Sequence, residues 1–140
     1  MEYNLDRFIE AQNSIYYQAL GEIVRGRKTT HWIWFIFPQL AGLSRSDMAQ
    51  RYGVVSLNEA RAYLAHPVLG SRYLECVEAL QDLPLSNPKA VLGSIDATKL
   101  RSSLTLFAEA DPKQKLFTAA LERWFRGLRD EQTLDLLKTM

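Results

Sequence analysis

The feature that most constrains the fold is the spacing of apolar residues near the start of the chain. Between Leu5 and Val24, apolar side chains recur at steps of three and four residues. This period lines them up on one face of an α-helix, whereas a half-buried strand would alternate at every second residue. Asn4 can cap the start, and Gly26 after Arg25 is a normal stop. The pattern therefore predicts one helix over this stretch.

The balance of apolar residue types extends the helical expectation to the whole chain. Leu and Ala occur 21 and 14 times, whereas Ile and Val occur 6 times each. Leu and Ala lose little conformational entropy in a helix, and β-branched residues favour strands. A length of 140 residues fits one domain with a real core. We therefore expect an all-α fold, a single compact multi-helix domain over residues 1–140 with about six to eight helices, several of them short.

Capping residues and prolines predict where several helices begin and end. Ser56 followed by Glu59 fits a capping box, in which each side chain satisfies a free backbone amide of the first turn. The pair His66-Pro67 marks a break, because the residue before a proline avoids the helical region. Asp96 is expected to cap a helix, and Asp111-Pro112 is expected to start the next one as cap and first-turn proline.

Charge and cysteine content exclude several classes of function. The chain carries 17 Lys and Arg against 16 Asp and Glu, a net charge of +1, and a dedicated nucleic-acid or anionic-membrane binder would need a basic surplus. Cys76 is the only cysteine. It cannot form an internal disulfide, and it is expected to be a small core residue. These values favour a protein without nucleic-acid partners.

Membrane and export signals are also missing from the pattern. The first residues lack the basic and then apolar plan of a signal peptide. The longest strongly apolar run, Trp32 to Phe37, is far shorter than the roughly 20 residues that span a bilayer. This run is too short for periodicity to separate a buried strand from a buried helix, although Pro38 after it favours a short helix. We expect a soluble cytoplasmic protein with no membrane partner.

Motifs that would name a cofactor or a metal site are absent. The sequence has no phosphate-binding loop, no dinucleotide-binding glycine pattern and no nucleophile elbow. Its two histidines, His31 and His66, and Cys76 match no zinc signature. The sequence therefore predicts no metal site and leaves any cofactor unidentified.

The first stretch that could carry chemistry covers residues 27–39. Arg27 and Lys28 could hold an anion, Trp32 or Trp34 could stack on a ring, and His31 is the candidate catalytic acid–base. The alternative is a core segment with a solvated polar start, since tryptophan usually serves packing.

The second stretch covers residues 96–105. On a helix, Lys99 shares a face with Ser103, and Thr98, Arg101, Ser102 and Thr105 share another. Hydroxyls and cations near a helix N-terminus can hold a phosphate or a carboxylate. The alternative is a capped helix with a solvated polar face.

Four ordered motifs resemble the family catalogued as domain of unknown function 1810. They are Gly-Arg-Lys-x-x-His-Trp-x-Trp-Phe-Ile-Phe-Pro-Gln-Leu-x-Gly-Leu at 26–43, Ser-Leu-x-Glu-Ala-x-Ala-Tyr-Leu-x-His-Pro-x-Leu-Gly at 56–70, Gly-x-x-Asp-x-x-Lys-Leu at 93–100, and Ser-Ser-Leu-Thr-Leu-Phe at 102–107. The resemblance runs from about Phe8 to Phe125, with Ser44 and Leu104 as small departures. It implies a single, mainly helical domain and no established activity. The calpastatin name that some members carry would require a disordered, repetitive chain, and this sequence has no such character.

Two hypotheses about function follow. The first is a small-molecule site for a phosphorylated or nucleotide-like anionic ligand, with or without catalysis, and it requires the two polar stretches to border one pocket. The second is a protein-interaction module or homo-oligomer without catalysis, which the wealth of aromatic residues favours.

Overall fold

The computed structural model describes residues 3–140, and within that range it is all-helical. It contains ten helices, more than the six to eight that the sequence predicts. Their bounds are α1 Asp6–Asn13, α2 Tyr16–Arg25, α3 Ile33–Ile36, α4 Asp47–Tyr52, α5 Leu57–Ala65, α6 Leu69–Gln81, α7 Pro88–Leu92, α8 Ser94–Ala110, α9 Lys115–Phe125 and α10 Glu131–Lys138. None of these helices has the length and apolar character needed to cross a bilayer.

The first predicted helix is in fact two helices, separated by a turn at Ser14 and Ile15. Asn and Ser side chains compete for backbone hydrogen bonds, which makes a break at this point inexpensive. The apolar face nevertheless continues across the turn, since Phe8 in α1 and Tyr16 and Ile23 in α2 are all buried. The spacing therefore predicted the buried face correctly and missed the interruption.

The core is organised around α8, the longest helix. Ten of its residues are buried, and they lie all around its circumference. The stretch 102–108 is covered on every side, which makes α8 central, whereas the first turns of α8 are partly exposed. Helix α8 contacts α5, α7, α9 and α10. Against it packs an aromatic cluster in which Tyr73 and Phe107 have ring centroids 4.3 Å apart. Burial strongly raises the pKa of the Tyr73 hydroxyl, which hydrogen-bonds Ser103.

Several predicted boundaries are confirmed in detail. The Ser56 hydroxyl accepts a hydrogen bond from the Glu59 amide at 3.1 Å, as in a capping box. The Glu59 carboxylate accepts a hydrogen bond from the Val55 amide at 2.8 Å. His66 ends α5, and its Nδ1 atom accepts from the Val68 amide at 3.1 Å, so this histidine caps the start of α6.

Two predicted caps are wrong. Helix α8 begins at Ser94, so Asp96 lies in its first turn rather than before it. Helix α9 begins at Lys115 behind Gln114, whose side chain accepts from the Leu116 amide at 3.2 Å, whereas Asp111 closes α8. In both places an acidic residue lies near a helix end without taking the N-cap position, which Gly93 and Gln114 occupy.

Candidate functional site

A cleft of about 320 Å³ opens along one face of α8. The α8 residues that border it are spaced three and four apart, which places them on a single helical face. The loop after α3 forms a second wall, and the start of α10 forms a third. The lining residues are Gln39, Leu43, Ser44, Ile95, Thr98, Lys99, Ser102, Asp130 and Gln132.

Lys99 supplies the positive charge of this cleft. Its Nζ atom lies 5.0 Å from the centroid of the Trp34 ring, a cation–π contact that positions the ammonium group. Within residues 3–140, no carboxylate lies within 4 Å of it. The ammonium is therefore free to pair with an anion.

Asp130 is the one carboxylate among the lining residues, and the protein itself satisfies it. Its Oδ2 atom accepts from the backbone amide of Thr133 at 3.0 Å and from the Thr133 hydroxyl at 2.5 Å, which caps α10. Its Oδ1 atom lies 3.8 Å from the guanidinium of Arg101. The negative charge of Asp130 is thus offset locally, so it opposes an incoming anion less than a free carboxylate would.

Two hydrogen-bond donors next to the cleft are unused. Among residues 3–140, the buried side-chain nitrogen and oxygen atoms without a hydrogen-bond partner are Trp34 Nε1 and Arg101 Nε. Buried donors nearly always find an acceptor, so each such exception calls for an explanation. Trp34 lies under Lys99, and Arg101 lies beside Asp130. Each unused donor thus belongs to a residue that contacts a lining side chain but does not itself line the cleft.

A short backbone bridge fixes the loop wall of the cleft. The Val54 amide donates to the Gln39 carbonyl at 2.8 Å, and the Ala41 amide donates to the Val54 carbonyl at 2.7 Å. These bonds hold Gln39 and Ser44 beside a small void that Trp34 also lines. Trp34, Gln39 and Ser44 thus belong to one continuous polar corner.

The structure brings the two predicted polar stretches together at two points. Lys99 lies over Trp34, as described above, and Lys28 Nζ lies 2.7 Å from Asp96 Oδ2. The Lys28 side chain is buried, and its ammonium also lies 5.0 Å from the Trp32 ring. Its charge is therefore engaged inside the protein, which leaves it little to offer a ligand.

Trp32 and Ser103 have structural partners that account for them. Trp32 is fully buried, and its Nε1 donates to Glu22 Oε1 at 2.9 Å. Ser103 is also fully buried and pairs with the Tyr73 hydroxyl at 2.9 Å. Ring stacking by Trp32 and ligand binding by Ser103 both require access that these positions lack. For these two residues the alternative, a packing role, fits the structure.

Ser102, Arg27 and His31 complete the predicted set. Ser102 lines the cleft, although its hydroxyl donates to the Thr98 carbonyl at 3.2 Å. Arg27 and His31 are exposed, and neither is among the lining residues. The acid–base role of His31 stays a prediction that this cleft does not use.

Sequence reasoning missed the residues that the loop and α10 contribute. Ser44, Asp130 and Gln132 all fall outside both polar stretches. A signal for the start of α10 is nevertheless present in the sequence. Asp130 is a residue type that caps helices, and polar Gln132 and Thr133 follow it. This signal does not predict that this start lies against α8.

The fold and the cleft define a class of protein: a small all-helical domain with a cationic, hydroxyl- and amide-lined cleft beside its central helix. Residues 2–137 match the model of the DUF1810 family, described as a protein of unknown function, and the chain belongs to that family. It is also similar to the crystal structure of the conserved hypothetical protein Rv1873 from Mycobacterium tuberculosis. The two are 41% identical, with a TM-score of 0.96 over 99% of each chain. No curated protein matches the chain.

Proposed function

We propose that the protein binds a small anionic molecule, carrying a phosphate or a carboxylate group, in the cleft between α8, the loop after α3 and the start of α10. The observation that carries the proposal is Lys99, a cation that lines the cleft and has no carboxylate within 4 Å among residues 3–140. An anionic ligand would pair with this ammonium through charge-assisted hydrogen bonds, which are stronger than neutral ones.

The remaining residues fit this ligand class. Lys99 would pair with the anionic group, since it has no carboxylate partner within residues 3–140. Gln39 and Gln132 offer amides, and Ser44 offers a hydroxyl. A volume of about 320 Å³ falls at the lower end of the range of small-molecule pockets, roughly 300–1,000 Å³. This supports a compact ligand such as a sugar phosphate or a mononucleotide.

The apolar wall supports an organic anion over a bare inorganic one. Leu43 and Ile95 line the cleft beside the polar groups, and Ile95 is highly exposed to solvent. Covering Ile95 with the apolar part of a ligand would remove that surface from water, at about 25 cal/mol per Å². The proposal is a binding function, and it requires no catalytic residue.

A thermal-shift screen tests the proposal with inorganic phosphate, sugar phosphates, mono- and dinucleotides and small carboxylates. A ligand at 100 times its Kd stabilises the folded state by about 2.7 kcal/mol, which is a shift of several degrees for a domain of this size. We expect a hit that is lost in Lys99→Met and kept in Lys113→Met. Lys113 is an exposed lysine in the loop after α8, which makes it a matched control.

Trp34→Phe provides the sharper variant. It removes an indole N–H that makes no hydrogen bond with residues 3–140, so the free protein loses no bond from that atom. We expect the ligand-induced shift to fall, because a phenylalanine ring holds the Lys99 ammonium less strongly than an indole does, while the free protein keeps its cooperative unfolding. A flat screen at millimolar ligand, or a shift that survives Lys99→Met unchanged, would refute the proposal.

A further inference from the structure

A second concave surface differs in character from the anion cleft. It is a groove of about 310 Å³ between the end of α2, the α6–α7 loop and α7. Its walls are mainly apolar, and its lining residues are Arg25, Gly26, Leu83, Pro84, Leu85, Asn87, Ala90 and Val91. Leu85 is 78% exposed, so this surface has no cover in the chain that the structure describes.

An exposed face of α2 leads towards this groove. Tyr17, Gly21 and Val24 are spaced four and three residues apart, which places them on one helical face. Tyr17 is 80% exposed and Val24 is 62% exposed. The Arg25 guanidinium lies 3.4 Å from the position that a Cβ atom on Gly21 would occupy. The Arg25 side chain therefore lies along the same face of α2. We call Tyr17, Gly21, Val24 and Arg25 the α2 face.

Three cations are associated with the groove, and we call them its positive rim. Arg25 lines the groove, and the exposed Arg27 and Lys89 adjoin the lining residues Gly26 and Ala90 in the chain. None of the three cations forms an ion pair within residues 3–140. The only acidic residue directly next to a lining residue in sequence is Asp82, so positive charge prevails.

Hydrogen bonds to backbone carbonyls hold both walls of the groove in place. The Arg123 guanidinium donates to the carbonyls of Leu80 at 3.2 Å and Gln81 at 2.8 Å, and also to the Leu83 carbonyl. On the other side, the Lys28 amide donates to the Val91 carbonyl at 2.7 Å. These bonds fix both walls before any partner arrives, which lowers the entropic cost of docking.

We propose that the groove and the α2 face together form a docking site for an acidic, amphipathic helical segment of another protein. Apolar side chains at helical spacing would enter the groove and cover Val24 and Leu85, as in known helix-in-groove recognition. Carboxylates flanking them would meet Arg25, Arg27 and Lys89. This site is independent of the anion cleft and does not require it.

Charge and shape select this occupant over two others. A symmetric contact with a second copy of the chain would bring the same cations on both copies close to one another, and such like-charge juxtaposition is costly. A lipid surface is nearly flat at this scale, and it would leave a concave groove unfilled. A heterologous acidic helix satisfies both the apolar floor and the positive rim.

The test uses the full-length protein, immobilised, and a display library of random 16-residue peptides. Selection is run in parallel on the wild type and on the double variant Val24→Ser/Leu85→Ser. Because both positions are exposed, the variant is expected to fold, which circular dichroism checks. We expect wild-type selection to enrich peptides with acidic residues and apolar residues three and four apart, and to find no such enrichment on the variant.

Fluorescence anisotropy with an enriched peptide then tests the charge. We expect at least tenfold weaker binding to Lys89→Glu and to the double variant, and a clear loss of affinity as salt rises. Matched substitutions elsewhere, Lys113→Glu and Val55→Ser, and Lys99→Met in the anion cleft, should leave binding unchanged.

Three results would overturn the proposal. The first is no enrichment over an empty support, or enrichment of peptides without acidic residues. The second is a concentration-dependent dimer in sedimentation equilibrium that Leu85→Ser abolishes, which would assign the surface to a second copy. The third is co-sedimentation with phosphatidylserine vesicles that Leu85→Ser abolishes, which would assign it to a membrane.

Discussion

Glu22 is the buried charge on which the folded segment after α2 depends. It is fully buried, and its carboxylate accepts hydrogen bonds from the backbone amides of Thr29 at 2.8 Å and Thr30 at 3.0 Å and from Trp32 Nε1 at 2.9 Å. The Thr30 hydroxyl at 2.7 Å and the Gln18 amide at 3.3 Å complete its shell. Burial alone would raise the pKa of Glu22, but these hydrogen bonds outweigh it and hold that pKa well below the ordinary value.

Two substitutions at Glu22 separate the contribution of its charge to stability from the contribution of its size and hydrogen bonds. Glu22→Gln keeps the size and one acceptor oxygen, so it loses mainly the extra strength that a charged acceptor gives to its bonds. We expect it to lower the free energy of unfolding by about 2 kcal/mol. Glu22→Ala removes every acceptor and leaves the buried Trp32 N–H unpaired next to a cavity, so we expect a loss of about 3–5 kcal/mol.

The pH dependence gives the decisive readout. Because the pKa of Glu22 is lower in the folded than in the unfolded state, its contribution is fully present above the unfolded value, about 4.3. It is lost as the pH falls below that value, since the unfolded state then binds more protons. Urea unfolding followed by tryptophan fluorescence should therefore give a wild-type minus Glu22→Gln difference that shrinks between pH 6 and pH 3. A difference that stays constant over this range would refute the argument, as would a Glu22→Ala variant as stable as Glu22→Gln.

Two further predictions concern close packing. A Cβ atom at Gly70 would lie 2.1 Å from the Leu64 carbonyl oxygen, so Gly70→Ala should lower the midpoint of urea unfolding sharply or prevent folding. In contrast, Gly21→Ala meets only the flexible end of Arg25 and should raise stability by about 0.5–1 kcal/mol, so an equal cost for both would contradict the geometry. A last prediction concerns Cys76, because burial raises the pKa of its thiol to about 12. Ellman's reagent at pH 8 should therefore not react with the folded protein, and it should titrate one thiol after urea denaturation. Fast reaction of the native protein would show that the helix around Cys76 opens readily.

Local signals predicted the fold well wherever a residue's partner lies within a few positions. The Ser56 cap and the His66-Pro67 break depend on contacts within three residues, and both are present. The same reasoning placed Asp96 as a cap because nothing local reveals its partner Lys28, 68 positions earlier in the chain. Boundaries set by such distant contacts are beyond a local pattern.

The residues of the anion cleft were likewise predictable only where they lie within a few positions of one another. The second polar stretch includes Lys99 and Ser102, and both line the cleft, whereas Ser103, which was expected to share a face with Lys99, is buried against Tyr73. Asp130 and Gln132 reach that face only because α10 packs back against α8. A helix end roughly thirty residues further along the chain gives no sign of this in its own sequence.

The two tryptophans of the 26–43 motif look alike in the sequence, and only the tertiary structure distinguishes their roles. Trp32 and Trp34 are two residues apart in the same apolar run, and both fitted the hypothesis of a ring platform equally well. Glu22 accepts the Trp32 N–H, and the core covers its ring. The Trp34 N–H has no acceptor within residues 3–140, and Lys99 lies over its ring. Because its ring contacts Lys99, the cation that lines the cleft, Trp34 is the tryptophan of this motif on which a binding experiment should concentrate.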